Sequence, residues 1–337
     1  MRLSDFDYAL PQDLIAQYPL QERDQARLLV VDRKTSQITH DIFRNIGKYV
    51  PDKSLFVINN SKVIPARLLG EKARTGGLVE VFLLKQVDEC RFEAMLKPLK
   101  KIRVHERLEF PGGICAVLED KEKRIVRFEN QGVLKSLEKF GHIPLPPYIQ
   151  RPDEDSDRTN YQTVYAKEPG SVASPTAGLH FTKPLISELK KAGHDFAEVT
   201  LHVNYGTFKP VEVEDIVSHP MHFEEYDISR EIQARLSKAR EKGQSVIAVG
   251  TTSCRTLEAF ARTKKVKDLT SLFLYPGGND ADFRMTDILV TNFHLPKTTL
   301  LMLVSAFAGM NLVRKAYQTA IREKYRFYSY GDAMIII

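Results

Sequence analysis

Apolar positions in the C-terminal half fall into two alternating kinds of segment. Asp195–Val203 (DFAEVTLHV) is rich in branched residues and predicts a strand. Gln244–Gly250 (QSVIAVG) is a short apolar run, as expected of a strand buried on both faces, and Leu269–Tyr275 and Asp287–Phe293 read the same way. Helix patterns lie between them. Thr182–Ala192 carries Thr182 as N-cap, Pro184 in its first turn and Gly193 as a stop. Ser229–Lys242 also starts on a capping residue and stops at Gly243, and Thr251–Thr263, Thr298–Ala308 and Asn311–Tyr325 complete the set. Strands separated by helices predict right-handed crossovers and a mainly parallel, barrel-like α/β domain.

The middle of the chain has another rhythm. Leu78–Leu84, Arg91–Leu96, Arg107–Phe110, Ile114–Leu118 and Arg124–Phe128 are short strand candidates separated by glycine pairs or charged turns. Such spacing predicts a small antiparallel β-barrel. A proline cluster, Pro144-Leu145-Pro146-Pro147, marks its right edge, before the acidic stretch Pro152–Arg158. The first residues hold further strands (Arg27–Asp32, Ser54–Asn59) and a short helix (Asp41–Tyr49) that join the α/β part. The expected division is therefore 1–64 with 151–337 as an α/β catalytic domain, and 65–150 as an inserted β-barrel domain.

Composition narrows the class. A length of 337 residues accommodates two domains with a sizeable core. The longest apolar runs, such as Leu300–Ala308, fall short of the ~20 residues that span a bilayer, and Met1–Tyr8 (MRLSDFDY) does not read as a basic-then-apolar leader, so none is expected. Cys90, Cys115 and Cys254 are widely spaced and form no CxxC pair. A cytoplasmic protein without a membrane partner is expected. The net charge of +6 is modest, but 16 Lys/Arg face 12 Asp/Glu between Pro65 and Gln150. The densest piece, Lys97–Arg107 (KPLKKIRVHER), offers Lys97, Lys100, Lys101 and Arg103. It reads either as a phosphate-contacting hairpin or as an ordinary solvated loop.

Six of the nine histidines lie between His180 and His294, and imidazole is the side chain closest to titrating at neutral pH. His202, His294 and the polar run Thr251-Thr252-Ser253 each sit at the end of a predicted strand. Ligands bind beyond the carboxyl ends of parallel strands, so these three ends mark a candidate site. Gly250–Arg255 (GTTSCR) places hydroxyl residues at a helix start, where free N–H groups attract a carboxylate or phosphate, with Arg255 nearby; simple N-capping is the plainer alternative. It lacks the P-loop spacing and lysine. His219-Pro220-Met221-His222 with Glu224 does not match HExxH, so a metal site is not expected. No glycine pair continues into a dinucleotide fingerprint. Ser171–Thr182 (SVASPTAGLHFT) is a loop that brings His180 ahead of a helix.

Several longer stretches carry a resemblance: SPTAGLHFT at Ser174–Thr182, LHVNYGTFKPV at Leu201–Val211, HPMHFE at His219–Glu224 and VGTTSCRTLE at Val249–Glu258. LYPG at Leu274–Gly277, TNFHLPKTTLLMLVSAFAG at Thr291–Gly309 and YRFYSYGDAM at Tyr325–Met334 continue it, with Leu10–Val30 and Asn59–Leu68 towards the N-terminus. Over essentially its whole length the chain resembles the S-adenosylmethionine:tRNA ribosyltransferase-isomerase family of queuosine biosynthesis. Asn204-Tyr205, Ser174 and Gly278–Phe283 depart from the family's usual pattern.

The resemblance implies a reaction in which S-adenosylmethionine is a co-substrate that donates its ribosyl unit. The acceptor is 7-aminomethyl-7-deazaguanine (preQ1) at the tRNA wobble position. The product is epoxyqueuosine-tRNA, adenine and methionine leave, and no metal or other cofactor is implied. Such chemistry needs a base beside the sulfonium and a donor for adenine, which His180, His202, His222 and His294 are expected to include. Thr251, Thr252, Ser253 and Arg255 are expected to bind the methionine carboxylate, and Glu224 or Glu258 a cationic or amide group. Arg326, in the aromatic run Tyr325–Tyr330, is expected to touch the base or ribose, unless that run is a strand packed on the core. A monomer is expected. Without the resemblance, the histidines would suggest a metal-dependent α/β hydrolase, and the basic middle a non-catalytic RNA-binding protein.

Overall fold

A computed structural model describes residues 1–130, 132–203 and 211–337 of the chain. Asn204-Tyr205 lie outside the described residues. In chain order the strands are β1 (Arg27–Val31), β2 (Ile38–Ile42), β3 (Leu55–Asn59), β4 (Ser61–Val63), β5 (Arg67–Lys72), β6 (Leu78–Gln86), β7 (Arg91–Lys97), β8 (Arg107–Phe110) and β9 (Ile114–Asp120). They continue as β10 (Ile125–Phe128), β11 (Glu168–Ser171), β12 (Asp195–Leu201), β13 (Glu224–Asp227), β14 (Val246–Val249), β15 (Lys267–Thr270), β16 (Ile288–Asn292) and β17 (Ala333–Ile336). The helices are α1 (Val133–Phe140), α2 (Asp157–Asn160), α3 (Lys183–Lys191), α4 (Arg230–Glu241), α5 (Gly250–Thr263), α6 (Thr299–Ala308) and α7 (Met310–Arg322).

Nine strands form one sheet in the order β15-β13-β12-β3-β14-β16-β17-β1-β2. Its centre, β12-β3-β14-β16, is parallel, as the apolar runs predict, and antiparallel pairs flank it at β13 and β17. The pleat explains why these strands read as unbroken apolar runs. Leu55, Val57, Val246, Ala248 and Leu289 enter the core on one face, whereas Phe56, Ile58, Ile247, Val249, Ile288 and Val290 enter the core on the other. Apolar residues of α4–α7 cover the first face, and Phe43, Ile46 and α3 the second. The helix starts match their caps: Thr182 accepts from the Leu185 N–H at 3.2 Å and Ser229 from the Ile232 N–H at 3.2 Å.

Strands β5–β10 close on themselves in the order β10-β7-β6-β5-β8-β9, an antiparallel barrel filled by its own apolar cluster. The observed class is thus mixed α/β with a closed six-stranded antiparallel barrel, as expected, while the large sheet ends at the open edges β15 and β2.

Three local expectations differ. The helix expected at Asp41–Tyr49 is the end of β2 followed by a 3₁₀ segment, Phe43–Tyr49, whose Phe43 and Ile46 are buried. The strand expected at Leu269–Tyr275 lies earlier, at Lys267–Thr270, because β15 is an edge strand paired only to β13 and not a buried parallel one. The aromatic run 325–330 is neither helix nor strand: α7 ends at Arg322, and Phe327 makes a single β-bridge to Ile15.

Candidate active site

The parallel strands aim their carboxyl ends at one cavity. β16 delivers Thr291, Asn292, Phe293 and His294; β14 delivers Gly250, Thr251 and Thr252; the segment after β12 adds Val203. The loop Ala173–Ala177 and a tyrosine pair, Tyr148 and Tyr328, form the opposite wall. Gly250 sits at φ +89°, a conformation that lets the chain turn from β14 directly into α5. Val249 gives α5 no side-chain cap, so its first N–H groups are available to an anion. Two well-buried polar side chains of the cavity lining, Ser174 through Oγ and Asn292 through Oδ1, have no hydrogen-bond partner among the described residues, nor does Thr252 Oγ1. Unsatisfied buried groups converging on one space mark a ligand site.

His294 is the one candidate histidine that lines this cavity. Its Nε2 lies 2.7 Å from Thr291 Oγ1, its backbone N–H donates to the Tyr317 hydroxyl at 2.9 Å, and its carbonyl accepts from the Tyr8 hydroxyl. Burial lowers its pKa from 6.5 to about 3, so the ring is neutral. His180 lies just behind. Its Nε2 is 3.1 Å from Asn292 Nδ2, its ring packs 5.0 Å from Phe43, and burial lowers its pKa to about 4. It lines a smaller space that shares Ser329 with the main cavity.

The other expected residues disperse. Leu201 and Val203 point into the core, so strand alternation sends His202 to the opposite face. There it lines a separate polar cavity with Glu198, Glu225, Lys167 and Lys267. Burial lowers the His202 pKa, and its Nδ1 has no partner among the described residues. Arg255 is one turn further along α5 than Thr251 and turns away from the cavity to pair with Glu224. Both are buried, and with exposed His222 they line a neighbouring space across the shared wall residue Leu300. Ser253 is fully buried and does not line the main cavity.

Glu258 does not line this cavity. Its carboxylate accepts from the backbone N–H groups of Arg284, Met285 and Thr286 and pairs with Arg262. Arg262 in turn holds Asp280 and Asp282, which fixes the departing segment Gly278–Phe283 against α5. Arg326 is also diverted: its guanidinium donates to the Tyr18 carbonyl. The aromatic run enters the site two residues later, through Tyr328 and Ser329. Tyr328 adopts φ +73°, an unusual conformation for a bulky residue, and stacks on Tyr148 at 4.4 Å between ring centroids. Tyr148 and Ser329 hydroxyls meet at 2.5 Å. Sequence reasoning passed over Thr291, Asn292, Tyr148 and Tyr328 as site residues; only their neighbourhood to a strand end or an aromatic run hinted at them.

On the barrel, Lys97 lies 3.8 Å from Glu80. Lys100, Lys101 and Arg103 are exposed and form no ion pair among the described residues. Lys72, at the end of β5, donates to the Lys101 carbonyl at 3.0 Å and Lys121, in the turn after β9, to the Ile102 carbonyl at 2.8 Å, which adds two cations to the same loop. No single helix among the described residues is long and apolar enough to cross a membrane.

These features define an α/β enzyme with an uncapped helix start and a neutral buried imidazole facing one cavity. Residues 3–336 match the family described as queuosine biosynthesis protein. A relative from Carboxydothermus hydrogenoformans is 52% identical over 344 residues, and one from Sulfurihydrogenibium sp. 48% over 339; both cover all of each chain. Both are named S-adenosylmethionine:tRNA ribosyltransferase-isomerase. The crystal structure of S-adenosylmethionine tRNA ribosyltransferase from Thermotoga maritima is similar with a TM-score of 0.57 at 38% identity, covering 99% of this chain and 100% of that one. The chain belongs to the queuosine biosynthesis family, in the enzyme class of the tRNA ribosyltransferase-isomerases.

Proposed function

We propose that the enzyme transfers the ribosyl moiety of S-adenosylmethionine to preQ1 at the wobble position of tRNA and isomerises it, giving epoxyqueuosine-tRNA with release of adenine and methionine. The observation that carries this reading is the main cavity, where the start of α5, unpartnered polar side chains and neutral His294 meet. S-adenosylmethionine combines a carboxylate, a sulfonium and a nucleobase. The carboxylate suits the first N–H groups of α5 with Thr251 and Thr252. The sulfonium acidifies the adjacent carbon, so a neutral imidazole has a proton to take. The tyrosine wall formed by Tyr148 and Tyr328 offers an aromatic face to a base.

The reaction consumes S-adenosylmethionine as a co-substrate and uses no metal or redox cofactor. Residues 1–64 and 151–337 act as the catalytic domain. Residues 65–150 act as an insertion that holds tRNA phosphates through Lys100, Lys101 and Arg103. The enzyme works as a cytoplasmic monomer. The test is incubation with S-adenosylmethionine and preQ1-containing tRNA, followed by mass analysis of the nucleosides. Epoxyqueuosine together with free adenine is expected; unchanged preQ1 in a folded preparation overturns the proposal.

A further inference from the structure

The four histidines singled out by sequence are not equivalent, and their hydrogen bonds distinguish them. Asn292 Nδ2 lies 3.1 Å from the Tyr328 carbonyl and 3.4 Å from the Asp332 carbonyl. Carbonyls only accept, which fixes the orientation of the amide; its two N–H groups go to the nearer acceptors, the Tyr328 carbonyl and His180 Nε2, both at 3.1 Å. The lone pair of His180 is therefore already committed.

His294 has the opposite arrangement. Thr291 Oγ1 lies 3.3 Å from the Asn292 carbonyl and 2.7 Å from His294 Nε2. A hydroxyl has one proton. Given to the carbonyl, that proton leaves the Thr291 oxygen to accept from Nε2–H, and the second ring nitrogen then carries the lone pair. Nδ1 has no protein partner among the described residues, and the ring lines the cavity. The two tyrosines that hold the His294 backbone keep the ring in register with this hydroxyl.

We infer that Thr291 is a positioning residue that fixes His294 as the Nε2–H tautomer, leaving Nδ1 as the base that faces substrate. The inference rests on the ribosyl transfer proposed above. In the step concerned, Nδ1 takes the proton from the carbon next to the sulfonium. The C–H electron pair stays on that carbon, and the neutral ring becomes imidazolium.

The tautomer is directly measurable by ¹⁵N NMR of histidine-labelled enzyme, with the His294 signals assigned by their loss in His294→Gln. Wild type is expected to show a protonated Nε2 and an unprotonated Nδ1 at neutral pH. Thr291→Val, close in shape but without the hydroxyl, should mix the tautomers and lower kcat about tenfold or more, with KM for S-adenosylmethionine within about twofold. Thr291→Ser should restore both the spectrum and kcat. A wild-type ring protonated on Nδ1, or a Thr291→Val spectrum identical to wild type, overturns the inference. Loss of activity without any change of tautomer in Thr291→Val also overturns it, because that outcome assigns Thr291 a purely structural part. The spectra need no turnover, so an Nε2–H ring in an enzyme that fails to modify tRNA would sink the proposed reaction and leave the tautomer standing.

Discussion

The end of the sheet and the surface of the barrel treat polar groups in opposite ways. At the sheet, the polar residues of the cavity are desolvated, the histidines are held neutral, and the ion pair Arg255–Glu224 is buried on both sides. On the barrel, charges such as Lys100, Lys101 and Arg103 stand in solvent. Interactions strengthen as water is excluded, so a single group at the sheet end can weigh as much as the whole basic loop. Chemistry belongs in the first environment and long-range attraction of a polyanion in the second. If this contrast is correct, substitutions at the two places should differ both in size and in the quantity they change.

The largest effect is expected at His294. His294→Gln should lower adenine release by about 10²- to 10⁴-fold, the usual contribution of a general base. His202→Gln, in a separate cavity, should lose less than tenfold. Equal losses would erase the distinction between the two cavities. Next comes the buried pair. Glu224→Ala leaves the Arg255 guanidinium buried without its carboxylate, which should cost about 3–5 kcal/mol in urea unfolding. Asp88→Ala breaks the exposed Asp88–Arg91 pair on the barrel and should cost less than about 1 kcal/mol. A similar cost for both would mean that burial does not separate the regions.

A smaller effect follows from the neutral rings. Folded His180 and His294 resist protonation until about pH 4 and about pH 3, whereas the unfolded rings take a proton below about 6.5. The unfolded state therefore binds more protons as pH falls through this window, so stability is lost on acidification and regained as pH rises. Each ring contributes a slope of about 1.4 kcal/mol per pH unit. Unfolding measured between pH 6.5 and 5, above most carboxylate titration, should show this slope reduced by one ring in His294→Gln. An unchanged slope would mean that His294 is not held neutral.

The helices with Thr182, Ser229 and Thr298 as caps were legible because a short polar side chain before an apolar period has one local meaning. The buried parallel strands and five of the six barrel strands were legible from their runs and turns; β5 was missed because Arg67–Lys72 alternates weakly and ends in charges. The convergence of strand ends on one site was also legible, since it follows from parallel topology alone. Partnership was not. Glu258 and Arg255 have the composition of ligand groups, but backbone N–H groups from 284–286 and Glu224 claim them, and nothing local to α5 announces those contacts. His202 leaves this cavity by a single step of the pleat, which no residue type records. Tyr148 was hidden in a proline cluster that read only as a boundary.

The smallest effect tests the barrel itself. Phosphate contacts release counterions, so each one adds about 0.7–0.9 to the slope of log binding constant against log salt. Lys97 already has Glu80 at 3.8 Å, and Glu71 and Glu109 line the same groove. Lys100, Lys101 and Arg103 have no such neighbours in ion-pair range among the described residues, and Lys72 and Lys121 brace their loop through its carbonyls. Titrating tRNA against salt should therefore separate these cations. Lys100→Ala, Lys101→Ala and Arg103→Ala should each weaken binding a few-fold and flatten the slope by about one contact. Lys97→Ala should leave the slope nearly unchanged, because neutralising a cation already paired to a carboxylate releases few counterions. Lys121→Ala should fall between, acting on its own charge and on the loop it supports. A uniform response across all five positions would reduce the barrel to a diffuse positive surface. A flat response would detach it from tRNA and leave the sheet end to hold both substrates.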